Sequence, residues 1–363
     1  MDKIKLIDIC NPKQWKTIAT SQLLDDGKFP VYGANGIIGY YNEFNHEDTT
    51  VLITCRGATC GNVHISIPKS YINGNAMALD NLNEKLCLKE YLYYFLNYYD
   101  MTKIISGSAQ PQITIQGLKK IYVKVYSIEE QKNIIKILNK IKKVIDLKEK
   151  QVTNLDNIIK SQFVEMFGDP YFNEQNWKIG TISNLVADVK YGTSKPSKDG
   201  GKYKYLRMNN ITYNGKLDLT DIKYIDIPEN EIEKCSTEKG DVLFNRTNSR
   251  ELVGKTCVYD RDEKMVIAGF VIRVRVNDLA NPYFLSEYLN TKYMKKNFYN
   301  MCKNASGQSN INAKELQNIK IYIPPIELQN QFADIVKQID KQKFESEIEL
   351  RKIQKNIFYK WGR

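Results

Sequence analysis

The feature that most constrains this fold is a long helical pattern that occurs twice, 198 residues apart. In the first copy the positions of a 3-4 spacing are Ile134, Leu138, Ile141, Ile145, Lys148, Val152, Leu155, Ile159 and Gln162. Adding 198 to each number gives Phe332, Val336, Ile339, Lys343, Ser346, Leu350, Ile353, Ile357 and Lys360. Seven and six of the nine positions are apolar. This spacing is typical of a coiled-coil seam, so the sequence predicts two long helices.

The segments that lead into the two helices also match. The first reads LKKIYVKVYSIEEQ at residues 118–131, and the second reads LQNIKIYIPPIELQ at residues 316–329. Ser127 and Glu130 form an S-x-x-E capping box, which satisfies backbone donors at a helix start. A period near 200 residues is too long for a solenoid, so each copy is a whole domain followed by a helix.

Each seam needs a partner, and the other seam of the same chain is the simplest one. The alternative is that each helix packs only on its own domain. Both patterns run well beyond the usual ~10–14 residues of a globular helix, which favours pairing of the two seams. The predicted boundaries are 1–126 for the first domain, 127–167 for the first helix, 168–324 for the second domain and 325–363 for the second helix.

Composition limits the class of protein. A chain of 363 residues with 42% hydrophobic residues is long enough for two cores. Its seven cysteines are odd in number and include no C-x-x-C pair, which fits a reducing cytoplasm. No stretch approaches the ~18 apolar residues of a membrane span, so we expect a soluble, cytoplasmic protein. The net charge of +11 suggests a polyanionic partner.

One glycine-rich segment concentrates this positive charge among aromatic residues. Its members are Lys190, Lys195, Lys198, Lys202, Lys204 and Arg207, with Tyr191, Tyr203 and Tyr205. Such a loop can hold phosphates and present rings to bases, although it could also be simply solvated. The lysines of the first helix lie mostly off the seam and are interpreted as its solvated face; they are Lys132, Lys136, Lys140, Lys142 and Lys143.

No catalytic motif is complete. The GKT at residues 254–256 lacks the glycine of a phosphate-binding loop five residues before its own glycine, where Ser249 stands. The sequences DPYF at 169–172 and NPYF at 281–284 each lack the second proline of an amino-methyltransferase motif. Two histidines, His46 and His64, cannot build a metal cluster. We therefore predict a protein without catalytic or metal-binding residues.

Four short stretches together resemble the specificity subunits of type I restriction-modification systems. They are VYGANGIIGYY at 31–41, SGSAQPQ at 106–112, FVEMFGDP at 163–170 and PPIELQ at 324–329. The resemblance covers essentially the whole chain, in the order domain, helix, domain, helix. One departure is Tyr126-Ser127, where that family often has two prolines, as the second copy does at Pro324-Pro325.

The resemblance implies an α+β protein with two similar target recognition domains and two helices that pair as an antiparallel, pseudo-twofold intramolecular coiled coil. Each domain would read one half of a bipartite, asymmetric site in double-stranded DNA. The subunit would not be an enzyme. It would carry two methyltransferase (M) subunits, joined by restriction (R) subunits, and S-adenosylmethionine, ATP and Mg would bind those partners.

Helix length agrees with this interpretation. A helix of about 36 residues is ~54 Å long at ~1.5 Å per residue. Domains at opposite ends of such a spacer could reach major grooves one DNA turn apart, ~34–36 Å centre to centre.

Candidate DNA contacts are polar residues on loops that the two copies share. Arg pairs well with guanine O6 and N7, and Asn or Gln with adenine N6 and N7, whereas Lys suits phosphates. Each could instead be a structural turn residue. The candidates are Tyr32, Asn35, Arg56, Gln110 and Gln112 in the first domain and Lys195, Arg207, Asn209, Arg246, Asn248, Arg250, Gln308 and Ser309 in the second.

Three other functions remain open from the sequence. The chain could be the specificity partner of a type II enzyme with a bipartite site. It could be an enzyme with an unrecognised site, or a coiled-coil scaffold that binds no nucleic acid. Steep salt dependence of DNA binding would exclude the scaffold.

Overall fold

The computed structural model describes residues 2–34, 36–107, 110–302 and 309–361, with side chains through residue 356. The chain divides into two compact units, residues 1–150 with 347–363 and residues 151–346. Both division points fall inside the long helices, so each unit contains one globular part and segments of both helices.

The first unit begins at the N-terminus. Its strands are β1 Asp2–Lys5, β2 Asn11–Gln14, β3 Phe29–Gly33, β4 Gly36–Tyr41, β5 Val51–Thr54, β6 Val63–Ile65, β7 Tyr71–Ile72, β8 Ala76–Asp80 and β9 Tyr122–Val125. Its helices are α1 Leu6–Ile9, α2 Lys89–Tyr98, α3 Ile115–Leu118 and the start of α4 Ile128–Phe167, with 3-10 turns at Thr20–Gln22 and Met101–Lys103.

Its strands form three sheets, in the orders β2-β8-β5-β6, β4-β3-β7 and β1-β9. Strand β5 lies inside the first of these sheets, and all four of its residues are buried. A continuous apolar run is what such a central strand requires. Helix α2 buries Tyr91, Leu92 and Leu96 in the same core.

The second unit repeats this series of elements. Its strands are β10 Lys178–Thr181, β11 Val186–Tyr191, β12 Tyr203–Leu206, β13 Lys223–Ile225, β14 Val242–Asn245, β15 Thr247–Asn248, β16 Thr256–Val258, β17 Val266–Ile267, β18 Val271–Val276, β19 Ser309–Asn310 and β20 Lys320–Ile323. Its helices are α5 Glu229–Cys235, α6 Pro282–Asn290, α7 Lys292–Met301, α8 Ala313–Gln317 and the start of α9 Ile326–Trp361, with 3-10 turns at Ile182–Leu185 and Met208–Asn210.

The two globular parts have the same sheet topology. The second unit has sheets β11-β18-β14-β16, β13-β12-β17 and β10-β20, which correspond strand for strand to those of the first. It adds the short pair β15-β19 and the helices α5 and α7. The predicted α+β fold, with a duplicated domain and two long helices, is confirmed.

In the first unit the beginning of α4 packs against the end of α9. Leu138 is buried beside Tyr94, and Ile134, Ile141, Ile145 and Ile353 pack around them. Lys148 forms an ion pair with Glu349, with 2.8 Å between Nζ and Oε2. Lys148 of α4 faces Glu349 of α9, whereas residues of α4 before Lys148 pack against Ile353, which follows Glu349. The two segments therefore run antiparallel. The seam residue Ile357 lies outside the described side chains.

In the second unit the end of α4 packs against the beginning of α9, again antiparallel. Phe163 and Phe167 lie 5.5 and 5.4 Å from Phe332 between ring centroids. Farther along, Asp156 of α4 pairs with Lys343 of α9. The seam residues of this unit are buried or half-buried; they are Val152, Leu155, Ile159, Phe332, Val336 and Ile339. Leu350, which belongs to the first unit, is buried as well.

Each long helix is tied to its own domain by a buried glutamine in its first turn. The Gln131 amide donates to the carbonyls of Leu86 and Tyr126 and accepts from the Leu88 N–H. The Gln329 amide does the same with the corresponding carbonyls of the second unit and with the Asn281 N–H. Both side chains are fully buried. The capping box also forms, since the Ser127 N–H donates to Glu130 Oε2 at 3.0 Å.

Candidate nucleic-acid interface

In the first unit, the loop after β5 meets the segment that precedes α3. Arg56 and Gln112 form an antiparallel backbone bridge. Gln112 also pairs with Ser106 through two backbone hydrogen bonds, since its N–H donates to Ser106 O at 2.8 Å and its O accepts from the Ser106 N–H. The next residue, Ile113, is buried and donates its N–H to Cys55 O. The junction of the two segments is thus attached to the core through Ile113, whereas Arg56 and Gln112 are exposed.

Three of the predicted contact residues are exposed on this first-unit loop: Arg56, Gln110 and Gln112. A guanidinium and two carboxamides provide the donors and acceptors that base edges pair with. Tyr32, in contrast, is 7% exposed and its hydroxyl accepts from the Ile67 N–H, so it is a core residue and leaves the candidate set. Asn35 lies outside the described residues.

In the second unit the equivalent loops form the ribbon β15-β19, in which Asn248 faces Ser309. Ile311 donates its N–H to Arg246 O, as Ile113 does to Cys55 O. The Asn248 carboxamide oxygen accepts from the Ser249 N–H at 2.8 Å, so it also stabilises the turn. Ser309 is 3% exposed and is a structural residue of the ribbon, which corrects its place among the contacts. Gln308 lies outside the described residues.

Two arginines beside this ribbon lie on tyrosine rings. The Arg250 guanidinium carbon is 3.8 Å from the Tyr299 ring centroid, and its Nε donates to Tyr299 O at 2.9 Å. The Arg246 guanidinium carbon is 4.8 Å from the Tyr191 ring centroid, and its Nη1 donates to Gly269 O at 3.3 Å. Such a ring restrains the position of the guanidinium group and attracts its positive charge.

A third predicted arginine, Arg207, already has a carboxylate partner. Its Nη2 donates to Asp221 Oδ2 at 2.8 Å and to Asp221 O at 2.9 Å. Asn209, two residues later, is exposed. A ligand would therefore reach Asn209 directly, whereas Arg207 would first have to release Asp221.

The basic segment of the second unit is neutralised locally. Each of its cations has a carboxylate within 4 Å, in the pairs Lys190–Asp188, Lys195–Glu231, Lys198–Asp226, Lys202–Glu229, Lys204–Glu263 and Arg207–Asp221. The hydrogen bond to Asp226 raises the pKa of Lys198. These pairs are largely solvent-exposed and therefore weak. The positive patch expected from the sequence is thus much reduced in charge.

The two units differ by one residue at the point where each places an arginine. Thr54 and Asn245 are equivalent, because each exchanges two backbone hydrogen bonds with the glycine-containing turn that follows its own strand. Arg56 therefore corresponds to Thr247, and Arg246 corresponds to the buried Cys55. Side chains alternate along an extended segment. Arg56 therefore projects from one face of its loop, and Arg246 projects from the opposite face of the equivalent loop.

The stacking partners Tyr191 and Tyr299 were not predicted from the sequence as arginine partners, since their contacts arise only in the folded unit. Within the described ranges, no group of three or more His, Cys, Asp or Glu side chains could hold a metal ion. In the same part of the chain, the helices are all too short or too polar to span a bilayer.

The duplicated α+β units and the two long paired helices define a protein built from two copies of one domain-and-helix plan. The profile of the family described as "Type I restriction modification DNA specificity domain" matches residues 1–157 and 174–355. The chain therefore belongs to this family.

Several relatives of this family are similar in sequence. The MjaVIII specificity subunit of Methanocaldococcus jannaschii is 24% identical over 334 residues, which cover 84% of this chain and 77% of that protein. The MjaX protein of the same archaeon is 32% identical over 171 residues, or 46% of this chain and 40% of that protein. The EcoKI specificity subunit of Escherichia coli is 25% identical over 164 residues, or 44% and 34%. The chain thus spans well under half the length of the last two.

Two solved structures share the fold. The S subunit of a type I restriction-modification system from M. genitalium gives a TM-score of 0.55 at 17% identity, with 100% of this chain and 96% of that chain covered. A chain from a study of the assembly and conformational transition of the type I system gives 0.57 at 17% identity, with 99% and 97% covered.

Proposed function

We propose that this chain directs a DNA methyltransferase to a bipartite, asymmetric target, with each unit reading one half. The observation that supports this most is that the two units share one scaffold but carry different polar side chains on their loops. Arg56, Gln110 and Gln112 serve the first half-site, and Asn209, Arg246 and Arg250 serve the second. Because the scaffold is the same and these residues differ, the two half-sites would differ in sequence.

Asn248, Lys195 and Arg207 have secondary roles in this proposal. Lys195 and Arg207 would exchange their carboxylates for DNA phosphates, which changes affinity equally for all sequences. Asn248 would hold the ribbon turn that carries Arg246 and Arg250. Its own carboxamide oxygen is occupied by the Ser249 N–H, so it has less capacity to pair with a base.

Partner subunits would supply the chemistry. Two methyltransferase subunits would bind S-adenosylmethionine, and restriction subunits would bind ATP and Mg. In the first unit, α4 exposes Ile137 and Val144, which are 53% and 44% exposed and lie on the same flank, seven residues apart. We place a methyltransferase helix against this flank, because exposed aliphatic residues at heptad spacing fit a further helix.

The docking surface can be tested by co-purification. Replacing Ile137 and Val144 with glutamate should abolish recovery of the methyltransferase subunit with this chain. The control variant carries glutamate at Leu24 and Ile67, which are also exposed in the first unit, and should retain the partner. Equal recovery with both variants would place the methyltransferase elsewhere.

The function itself is tested by mapping N6-methyladenine in a host that expresses the methyltransferase subunits with and without this chain. Methylation at one bipartite motif should appear only when the chain is present. Methylation that is the same in both cultures would contradict the proposal.

A further inference from the structure

One side of α4 in the first unit carries a row of lysines above a groove. The groove has a volume of about 650 Å³, and its lining includes Leu88, Glu90, Lys132, Lys136, Lys140 and Lys143. With four lysines and one glutamate among these residues, it has a net charge of +3 (4 − 1). The groove lies entirely within residues 88–143 and is distinct from the loops that carry the candidate base contacts.

The four lysines have no carboxylate within ion-pair distance among the residues that the structure describes. The lysines of the second unit's loop differ in this respect, since each of them is paired. From the sequence alone we expected the opposite arrangement, in which the loop of the second unit binds phosphates and the lysines of α4 are only a solvated face. Lys132, Lys136, Lys140 and Lys143 therefore form a row of positive charge along α4 that no neighbouring carboxylate of the described residues compensates by an ion pair.

The spacing of these lysines suits a polymer with regular negative charges. Lys132, Lys136 and Lys140 follow each other at four-residue intervals, which is a rise of ~6 Å per step along a helix. Duplex DNA carries one charge per ~1.7 Å of its axis, so several phosphates would lie within reach of the row. Lysine is a flexible point charge, which holds phosphates without reading bases.

The apolar flank of the same helix makes an acidic protein a weaker candidate for the groove. Ile137 and Val144 project from α4 about a quarter turn to one side of its seam, whereas Lys132, Lys136 and Lys143 lie roughly opposite the seam. A helical partner would gain more from the aliphatic flank than from a row of hydrated ammonium groups.

We infer that the lysine row of α4 binds the sugar-phosphate backbone of duplex DNA independently of sequence. This inference rests on the proposed DNA-reading function. Within the first unit, Arg56, Gln110 and Gln112 would select bases, and the lysines of α4 would add affinity that does not depend on sequence. The row would release bound counterions, so its contribution should depend steeply on salt.

The test measures binding of the full chain to a fluorescent duplex of random sequence over a range of salt concentrations. The groove variant has glutamine at Lys132, Lys136, Lys140 and Lys143. The control variant has glutamine at four exposed lysines of the second unit, Lys178, Lys239, Lys264 and Lys320. Circular dichroism checks that both variants are folded.

We expect the groove variant to make the negative slope of log K against log salt shallower, by roughly three to four, since each phosphate contact contributes about −0.9. The control should change the slope by less than about one. An unchanged slope in the groove variant would overturn the inference. So would normal DNA binding combined with loss of the methyltransferase subunit, which would identify the groove as a protein interface.

Failure of the proposed function gives a different result. In that case the unmodified chain would show no salt-dependent binding to duplex DNA and would direct no methylation. The inference about the lysine row would then be wrong as well. A slope change limited to the groove variant, in a chain that directs methylation, supports both.

Discussion

Lys343 of α9 and Asp156 of α4 form an ion pair within the seam, where their side chains are only 11% and 22% exposed. Lys343 was predicted as a polar position of the second seam, and the structure shows how it is tolerated. A buried charged position can fix the register of two helices, because any shift leaves the charge without its partner.

Breaking this pair should be costly. In Asp156→Ala, Lys343 remains buried without a carboxylate, and we expect the free energy of unfolding to fall by about 3 kcal/mol. The control is Glu349→Ala, which breaks the Lys148–Glu349 pair; with side chains 30% and 57% exposed, it should cost less than ~1 kcal/mol. Urea titrations of both variants provide the measurement. Equal losses would show that burial of the Lys343 pair has no special role.

The two buried glutamines make a second prediction. Gln131→Leu and Gln329→Leu each leave one backbone N–H and two carbonyls without their side-chain partner. We expect each to lower the free energy of unfolding by about 2–3 kcal/mol. Gln338→Leu, at an exposed position of α9, should change it by less than ~0.5 kcal/mol. A marked loss in only one of the two glutamine variants would argue against equivalent roles in the two units.

Among the arginines that we propose to read bases, Arg250 lies nearest to an aromatic ring. Its Nε is held by Tyr299 O and its plane lies on the Tyr299 ring, whereas Arg207 is occupied by Asp221. We expect Arg250→Lys to relax the preference for guanine at one position by about 1–3 kcal/mol, because lysine keeps the charge and loses the planar fork. Selection from a random duplex pool measures this preference. A uniform loss of affinity with unchanged base preference would assign Arg250 to phosphate binding.

Lys295 gives a pH dependence to stability. Burial lowers its pKa from 10.5 to about 7, its Nζ donates to Gly254 O, and Glu287 and Lys255 are the charged groups beside it. Between these two pKa values the unfolded chain binds a proton that the folded chain does not. The contribution of Lys295 to the free energy of unfolding therefore rises with pH, by up to ~1.4 kcal/mol per unit.

Comparison with Lys295→Met isolates this effect from other titrating groups. The stability of the unmodified protein relative to the variant should increase by about 1–2 kcal/mol between about pH 7.5 and about pH 9. Denaturant titrations at several pH values give the difference directly. Parallel pH profiles for the two proteins would mean that Lys295 stays protonated in the folded state.

The helices and the duplication could be predicted because their signals are local and periodic. The 3-4 spacing at Leu138, Leu155 and Val336 depends only on the geometry of a helix, and the structure buries these residues. The capping box at Ser127 and Glu130 is local in the same sense.

The candidate site was harder to predict because it depends on contacts between distant residues. Lys198 and Asp226 are 28 residues apart, and Lys204 and Glu263 are 59 apart, so a run of lysines gave no sign that its charges were paired. Tyr32 carries a hydroxyl and stands in a glycine-rich stretch, but the pairing of β3 with β7 places it in the core. Loop residues and their partners are set by tertiary structure.

The most direct test of the account maps methylated motifs for two variants of this chain, each expressed with its methyltransferase subunits. One variant has alanine at Arg56 and Gln112 in the first unit, and the other has alanine at Asn209 and Arg250 in the second. We predict that each variant changes or relaxes only one half of the bipartite motif, and that the two variants affect different halves. If either variant changed both halves, or both variants changed the same half, the assignment of one half-site to each unit would be contradicted.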